Sequence, residues 1–342
     1  MNKGEPKLPP KMADIAALAG VSASTVSRAL AGSGLVAKKR RDEIVRLARE
    51  RGYVVNPTAR NLRLQRTETI SVAIPLGHEA GQPLSDPFFA EMLSHLADAI
   101  TQRGYGMFLQ KFLPPMDGWL QRIVASGRSD GVIVVGQSTE HAEIAQVASY
   151  YRPLVVWGGH AEEPSYCTVG TDNAAGARLA VEHLLRLGRK RIVFVGNPSS
   201  PEIRLRYEGY VAALKRAPGG LEAQHFLRAV LTADGGYDSM RAFIRSGMPF
   251  DAVFAASDLI AIGAMRATAE AGLSVPGDVA VIGFDDIPLC AHTSPPLTTV
   301  RQDLRWGAGT IVDLMFRRIA GEDASSATMP AELVVRESCG GR

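Results

Sequence analysis

From residue 70 onward, short apolar runs alternate with helical segments, and this alternation limits the possible folds more than any other feature of the chain. ISVAIPL (70–76), GMFLQKF (106–112), GVIVVG (131–136), PLVVWG (153–158), RIVFVG (191–196), AVFAAS (252–257) and VAVIGFD (279–285) read as buried strands. Segments such as PFFAEMLSHLADAITQRG and AAGARLAVEHLLRLG lie between them with apolar residues at helical spacing. Such alternation predicts doubly wound parallel sheets with right-handed crossovers. An interruption near residues 160–172 splits the strands into two similar halves, so 68–342 is expected to be a two-lobed α/β domain.

The first fifth of the chain is different. Residues 1–66 hold 14 Lys and Arg against 5 Asp and Glu, a net +9, whereas 67–342 hold 24 against 30, a net −6. That asymmetry points to a polyanionic partner for the N-terminal part. MNKGEPKLPPKM has no apolar run behind its lysines, and no later stretch is long enough to span a bilayer, so a cytoplasmic chain with no membrane partner is expected. Three widely spaced cysteines give neither a disulfide framework nor a zinc motif.

Within the basic segment, MADIAALA (12–19) predicts a short helix with Ile15, Leu18 and Ala19 inward, stopped by Gly20. Ser22 suits the N-cap of a second helix reaching about Ala31, with Val26 and Leu30 as its apolar side. A third helix, about Lys38 to Arg51, turns Ile44, Leu47 and Ala48 inward and stops at Gly52. Together they predict an all-α helix-turn-helix domain at 12–55 behind a disordered arm at 1–11.

The second helix, rich in Ser and Thr, is a poor helix by propensity, because these side chains compete with the backbone for hydrogen bonds. Its composition suits a DNA major groove, where small side chains permit close approach. Arg28 is placed for a bidentate contact with guanine, while Ala23 and Ser24 meet neighbouring base edges. Ser22, Thr25, Ser27, Lys38 and Lys39 complete the DNA-binding candidates there. NPTARNLRLQRT (56–67) follows as a hinge helix or linker, with Asn56 as N-cap, Pro57 at its first position and Arg60, Arg63 and Arg66 making it basic.

MADIAALAGVSASTVSRAL, RGYVVNPTARNLR, DPFFAEM, RYEGY, VPGDVAVIGFDD and PPLTTVRQD, in that order, closely resemble the lac-repressor family of bacterial transcription regulators. The resemblance implies a periplasmic-binding-protein-like effector domain, a homodimer and a pseudo-palindromic double-stranded operator. It also implies a hinge helix that enters the minor groove and wedges a leucine between base steps, a position matched by Leu62. The sequence departs from the family pattern in three places. Ala31 stands where RVLN has Asn, VAKKRR replaces VSxxTR, and Gly158 stands where members often carry Asp. Four cations, Lys38, Lys39, Arg40 and Arg41, are thus expected to enlarge the salt-sensitive, non-specific part of DNA affinity.

Ligands of open α/β sheets collect beyond the carboxyl ends of strands. That position gives Asp86, Phe88, Phe89, Gln137, Trp157, Arg204, Arg206, Ser257, Asp258, Asp285 and Asp286. Carboxylates and an Arg fork hold adjacent hydroxyls and an aromatic ring covers a C–H face, so the set suits a small sugar or related polyol. The resemblance selects Arg206, Asp285 and Ser257 as effector-binding residues, to which Asp86, Phe88 and Trp157 are added. Asp258 and Asp172 also read as helix N-caps, and the aromatics as packing residues. No nucleotide, metalloprotease or nucleophile-elbow motif occurs, so an enzyme, a cofactor and a metal are not expected. The reading is a repressor of carbohydrate-utilisation genes controlled by a sugar. A purine-like or phosphorylated co-repressor is the alternative, and a sugar-binding protein without DNA function a weaker one.

Overall fold

The computed structural model describes residues 10–53, 66–76, 82–113, 117–137, 139–159, 165–222 and 225–341. They fall in two compact units, 1–67 and 68–342. The expected hinge residues Asn56, Arg60 and Leu62 lie outside the described residues.

The first unit is a three-helix core of α1 (Met12–Ala19), α2 (Ala23–Leu30) and α3 (Lys38–Glu50). Gly20 takes the left-handed conformation, φ 62°, that ends α1 and turns the chain toward α2. Ser22 caps α2 through its hydroxyl, which accepts from the Thr25 amide at 3.2 Å. Ile15, Ala16, Ala19, Val26, Ala29, Val36, Ile44 and Ala48 form the core. One expectation fails here: Leu18 is 48% exposed, its place taken by Ala16. Leu30 packs part-buried against the core, as expected, beside the fully buried Val26 and Ala29. Close helix packing in so small a core favours alanines at the contacts.

The second unit contains two six-stranded sheets. The first holds β1 (Thr69–Pro75), β2 (Gly106–Phe112), β3 (Gly131–Val135), β4 (Leu154–Trp157), β5 (Thr168–Thr171) and β11 (Ala327–Met329), in the order 11-5-4-3-1-2. The second holds β6 (Ile192–Val195), β7 (His225–Leu227), β8 (Ala252–Ala255), β9 (Ala280–Asp285), β10 (Thr298–Arg301) and β12 (Glu332–Val334), in the order 12-10-9-8-6-7. Helices α4 (Pro87–Gln102), α5 (Trp119–Ala125), α6 (His141–Ala148), α7 (Asn173–Arg186), α8 (Pro201–Arg216), α9 (Ala233–Arg245), α10 (Asp258–Glu270) and α11 (Leu304–Ile319) complete the two lobes.

All pairings are parallel except β12, which runs antiparallel to β10, so the expectation of purely parallel sheets is corrected at one edge. The single break expected near 160–172 is also corrected. β5 still belongs to the first sheet, and after β10 the chain returns to that lobe, where Leu304, Ala308, Ile311, Val312 and Met315 of α11 join its core. The chain therefore crosses between the lobes three times. GMFLQKF, expected as a buried strand, is the edge strand β2, with Phe108 and Leu109 more than one third exposed. Among the described residues, no helix is long and apolar enough to cross a membrane.

Candidate functional site

A cleft of about 800 Å³, counted with its open mouth, lies where the carboxyl ends of the two sheets face each other. All six expected effector residues line it: Asp86, Phe88, Trp157, Arg206, Ser257 and Asp285. Gln82, Thr171, Asn173, Ser200, Glu202 and Gln302 also line it and were not anticipated.

Each side chain is fixed by the element that carries it. Asp86 caps α4, accepting from the Phe88 amide at 3.0 Å and from Gln82 Nε2 at 2.7 Å. Burial raises its pKa, and those two hydrogen bonds oppose the rise. The ring of Phe88 lies 5.5 Å from Phe89 and 6.4 Å from Trp157, while Phe89 itself turns into the core. Trp157 backs against Gly307 of α11, where any Cβ would collide with the indole.

Arg206 is 5% exposed, and its Nε and Nη1 are both engaged. Its Nε donates to Asn173 Oδ1 at 2.8 Å, and its Nη1 donates to the Ala256 carbonyl at 2.5 Å and to Asp285 Oδ1 at 3.4 Å. The guanidinium sits 3.7 Å from the centre of the Phe284 ring. Burial draws its pKa down, opposed by Asp285, Glu202 and Asp258. Asp285 also accepts from Gln302 Nε2 at 2.7 Å. Its backbone has φ 121° and that of the following Asp286 φ 59°, two non-glycine residues in the left-handed half of φ space. Burial pushes the pKa of Asp285 up to about 7, with Arg206 and Gln302 opposing and Asp86 adding to the rise.

The remaining strand-end candidates have other duties. Asp286 is clamped by Arg301 and Arg336, each at 2.7 Å, and Arg204 is an exposed residue paired with Glu208. Asp172 caps α7 as expected, accepting from the Ala175 amide at 2.8 Å. Asp258 is not a cap, because Ser257 fills that position. Asp258 points inward over Gly283, accepting from Thr299 Oγ1 at 2.5 Å and the Ile287 amide at 2.9 Å. Gln137 lies behind Gly158.

In the first unit, α2 exposes Ala23, Ser24 and Arg28, with Thr25 and Ser27 half-buried. The Ser22 hydroxyl is already used by the cap and meets Ser24 Oγ at 2.8 Å and Thr25 Oγ1 at 2.9 Å. Arg28, Lys38 and Lys39 are exposed, and none has an ion-pair partner among the described residues. Lysines in the first turn of α3 oppose the helix dipole, so helix stability does not explain them. Of the four cations expected to add to DNA affinity, Arg40 is engaged within the unit. It donates to the Ala19 carbonyl at 2.5 Å and to Glu43 at 2.8 Å, locking α3 onto the end of α1.

A small helical unit with an exposed cationic helix, joined to a two-lobed domain with a cleft at its strand ends, defines a ligand-responsive DNA-binding regulator. Residues 11–56 match the model for bacterial regulatory proteins of the lacI family, and 181–339 match the periplasmic binding protein-like domain. The transcriptional regulator CelR of Thermobifida fusca is 33% identical over 96% of this chain and 98% of its own. The lac repressor dimer bound to operator and the anti-inducer ONPF superposes with a TM-score of 0.87 at 26% identity, covering 97% of this chain and 99% of that one. A CelR–cellobiose complex gives 0.70 at 30% identity, covering 96% and 99%. The chain belongs to the lacI family of bacterial transcription regulators.

Proposed function

We propose that this regulator is a homodimeric repressor of carbohydrate-utilisation genes that binds a pseudo-palindromic operator and is controlled by an uncharged sugar in the cleft. The observation that carries the ligand class is the charge and engagement of the wall. Asp86, Glu202 and Asp285 supply three carboxylates against one guanidinium, whose Nε and Nη1 are already committed to protein acceptors. A phosphorylated ligand would meet like charge at close range, whereas hydroxyls donate to carboxylates without an added charge to desolvate. Phe88 and Trp157 provide the apolar surface that covers a sugar's C–H face.

The structures of the lac repressor on its operator and of CelR with cellobiose support the same reading for this chain. On DNA, Arg28, Ala23 and Ser24 read base edges, Ser22, Thr25 and Ser27 add further hydroxyls on α2, and Lys38 and Lys39 hold phosphates. Asn56, Arg60 and Leu62 serve the hinge. A thermal-shift screen of neutral and phosphorylated sugars, followed by release of a selected operator, tests the proposal. Stabilisation by a neutral sugar with a change in operator affinity is expected. Stabilisation by phosphorylated compounds alone would overturn the ligand class.

A further inference from the structure

Gly158 and Gly159 follow β4 without side chains, and the space beside them is filled from the neighbouring strand. A Cβ at Gly158 would lie 2.6 Å from Gln137 Cγ, 2.7 Å from Cδ and 2.9 Å from Oε1, and one at Gly159 would lie 3.7 Å from the same oxygen. Gln137, just past β3, is 2% exposed. Its Nε2 donates to the Tyr166 hydroxyl at 2.9 Å, and that hydroxyl also meets His141 Nδ1 at 2.7 Å. One end of the amide is therefore held. The other end, Oε1, is shut from solvent and has no partner among the described residues. Buried acceptors without a donor are uncommon, and a donor from outside the protein is one way such an atom is satisfied.

Gln137 does not itself line the cleft but stands directly behind a residue that does, and it contacts both lobes. Gly158 is part of the cleft wall. The Gln137 amide donates to Glu202 Oε1 at 3.1 Å, and Glu202 lines the cleft from α8 of the second lobe. Leu205 of the same helix covers Gly159, its Cδ1 2.8 Å from where a Cβ would stand. The unpartnered oxygen thus lies behind Gly158, in a region that the second lobe reaches through Glu202 and Leu205.

We infer that Gln137 is a specificity-determining residue of the cleft, whose Oε1 accepts a hydrogen bond from a ligand hydroxyl on the Gly158 side of the wall. The inference rests on the sugar reading above. A side chain at 158 and the Gln137 side chain exclude each other sterically, so glycine at 158 places a neutral acceptor from the next strand where an acidic residue would otherwise stand. A site built around such a bond discriminates against sugars that lack a hydroxyl there or orient it differently.

The test uses the full-length protein and calorimetry with glucose, galactose, ribose, maltose and cellobiose. Gln137→Ala is expected to weaken the sugar that the wild type prefers by about tenfold, the scale of one lost hydrogen bond, while weakening another sugar less. Gln137→Glu, which keeps an acceptor, should stay within about threefold of wild type, and Gly158→Asp in the Gln137→Ala background should recover part of the loss. Unchanged affinity in Gln137→Ala overturns the assignment. So does an equal loss for every sugar accompanied by a lowered unfolding midpoint, which would make Gln137 a lobe contact only. If no sugar in the panel binds the wild type, the sugar reading fails and this inference with it.

Discussion

Arg206 and Asp285 form an ion pair at 3.4 Å in which both side chains are nearly lost to solvent, 6% and 10% exposed. A pair so buried gains little net stability, but removing one partner strands the other. Arg206→Ala is expected to destabilise the two-lobed unit by about 3 to 5 kcal/mol, since Asp285 loses its counter-charge. Arg206→Met combined with Asp285→Asn should recover most of that loss. Urea unfolding of Arg206→Met, Asp285→Asn and the combined variant checks this through a double-mutant cycle, and additive losses would show that the two residues are not coupled.

Asp285→Asn alone preserves shape while removing the charge that strengthens a hydrogen bond to a hydroxyl. Effector affinity should fall by about tenfold or more, with operator affinity in the absence of effector little changed. For an inducible repressor the outcome is silencing that the sugar no longer relieves. If the effector is a co-repressor, the same variant is permanently derepressed, so reporter expression with and without sugar fixes the sign of coupling. Normal effector affinity in calorimetry would remove Asp285 from the binding site.

How far this cleft could be read in advance depended on where its residues sit. Asp86, Trp157, Arg206, Ser257 and Asp285 follow strands whose apolar runs are unmistakable, so the strand-end rule reached them. Gln302 was missed because TTVR, with two buried threonines, does not read as a core strand. Asn173 and Glu202 lie in the first turns of α7 and α8, where a polar residue also reads as helix-start chemistry. The return of α11 to the first lobe was not legible at all, because an amphipathic helix specifies that it packs and not against which sheet. The three-helix unit was clearer, since Gly20, Ser22 and Gly52 mark its ends locally.

The cations of the first unit should separate into three behaviours. Arg28→Ala is expected to cost about 1 to 3 kcal/mol on the operator and to relax preference at one base pair per half-site. Lys39→Ala should weaken operator and random DNA alike and flatten the salt dependence. Binding measured at several salt concentrations distinguishes them. Equal losses on both DNAs for Arg28→Ala would rule out base reading.

Arg40 belongs to neither class. Its bonds to the Ala19 carbonyl and Glu43 hold α1 and α3 together, and its side chain is 41% exposed. Arg40→Ala should therefore lower the stability of the helical unit by about 1 kcal/mol, the net worth of a part-exposed, charge-assisted bond. Hydrogen exchange in α1 and α3 reads this directly. Lys39→Ala is the control, with no change in protection expected; protection unchanged in Arg40→Ala as well would return Arg40 to the phosphate-binding set.

Asp258 gives the second lobe a defined pH response. It is completely buried beneath the cleft, and burial, aided by the nearby Asp285 carboxylate, pushes its pKa up to about 8. The bonds from Thr299 and the Ile287 amide oppose that shift without cancelling it. In the unfolded chain the same carboxyl loses its proton near pH 4. Between about pH 4 and 8 the folded protein therefore holds a proton that the unfolded chain has released, and stability falls as pH rises through that interval. Asp285, with a pKa raised to about 7, acts in the same direction. Asp258→Asn removes the ionisation while leaving an oxygen for the Ile287 amide and an NH₂ group that can donate to Thr299 Oγ1. Thermal midpoints measured from pH 5 to 8.5 should decline for the wild type and decline less for the variant, so that their difference grows in the variant's favour as pH rises. Parallel curves would mean that Asp258 is ionised in the folded protein across the whole range, held by its hydrogen bonds against the cost of burial.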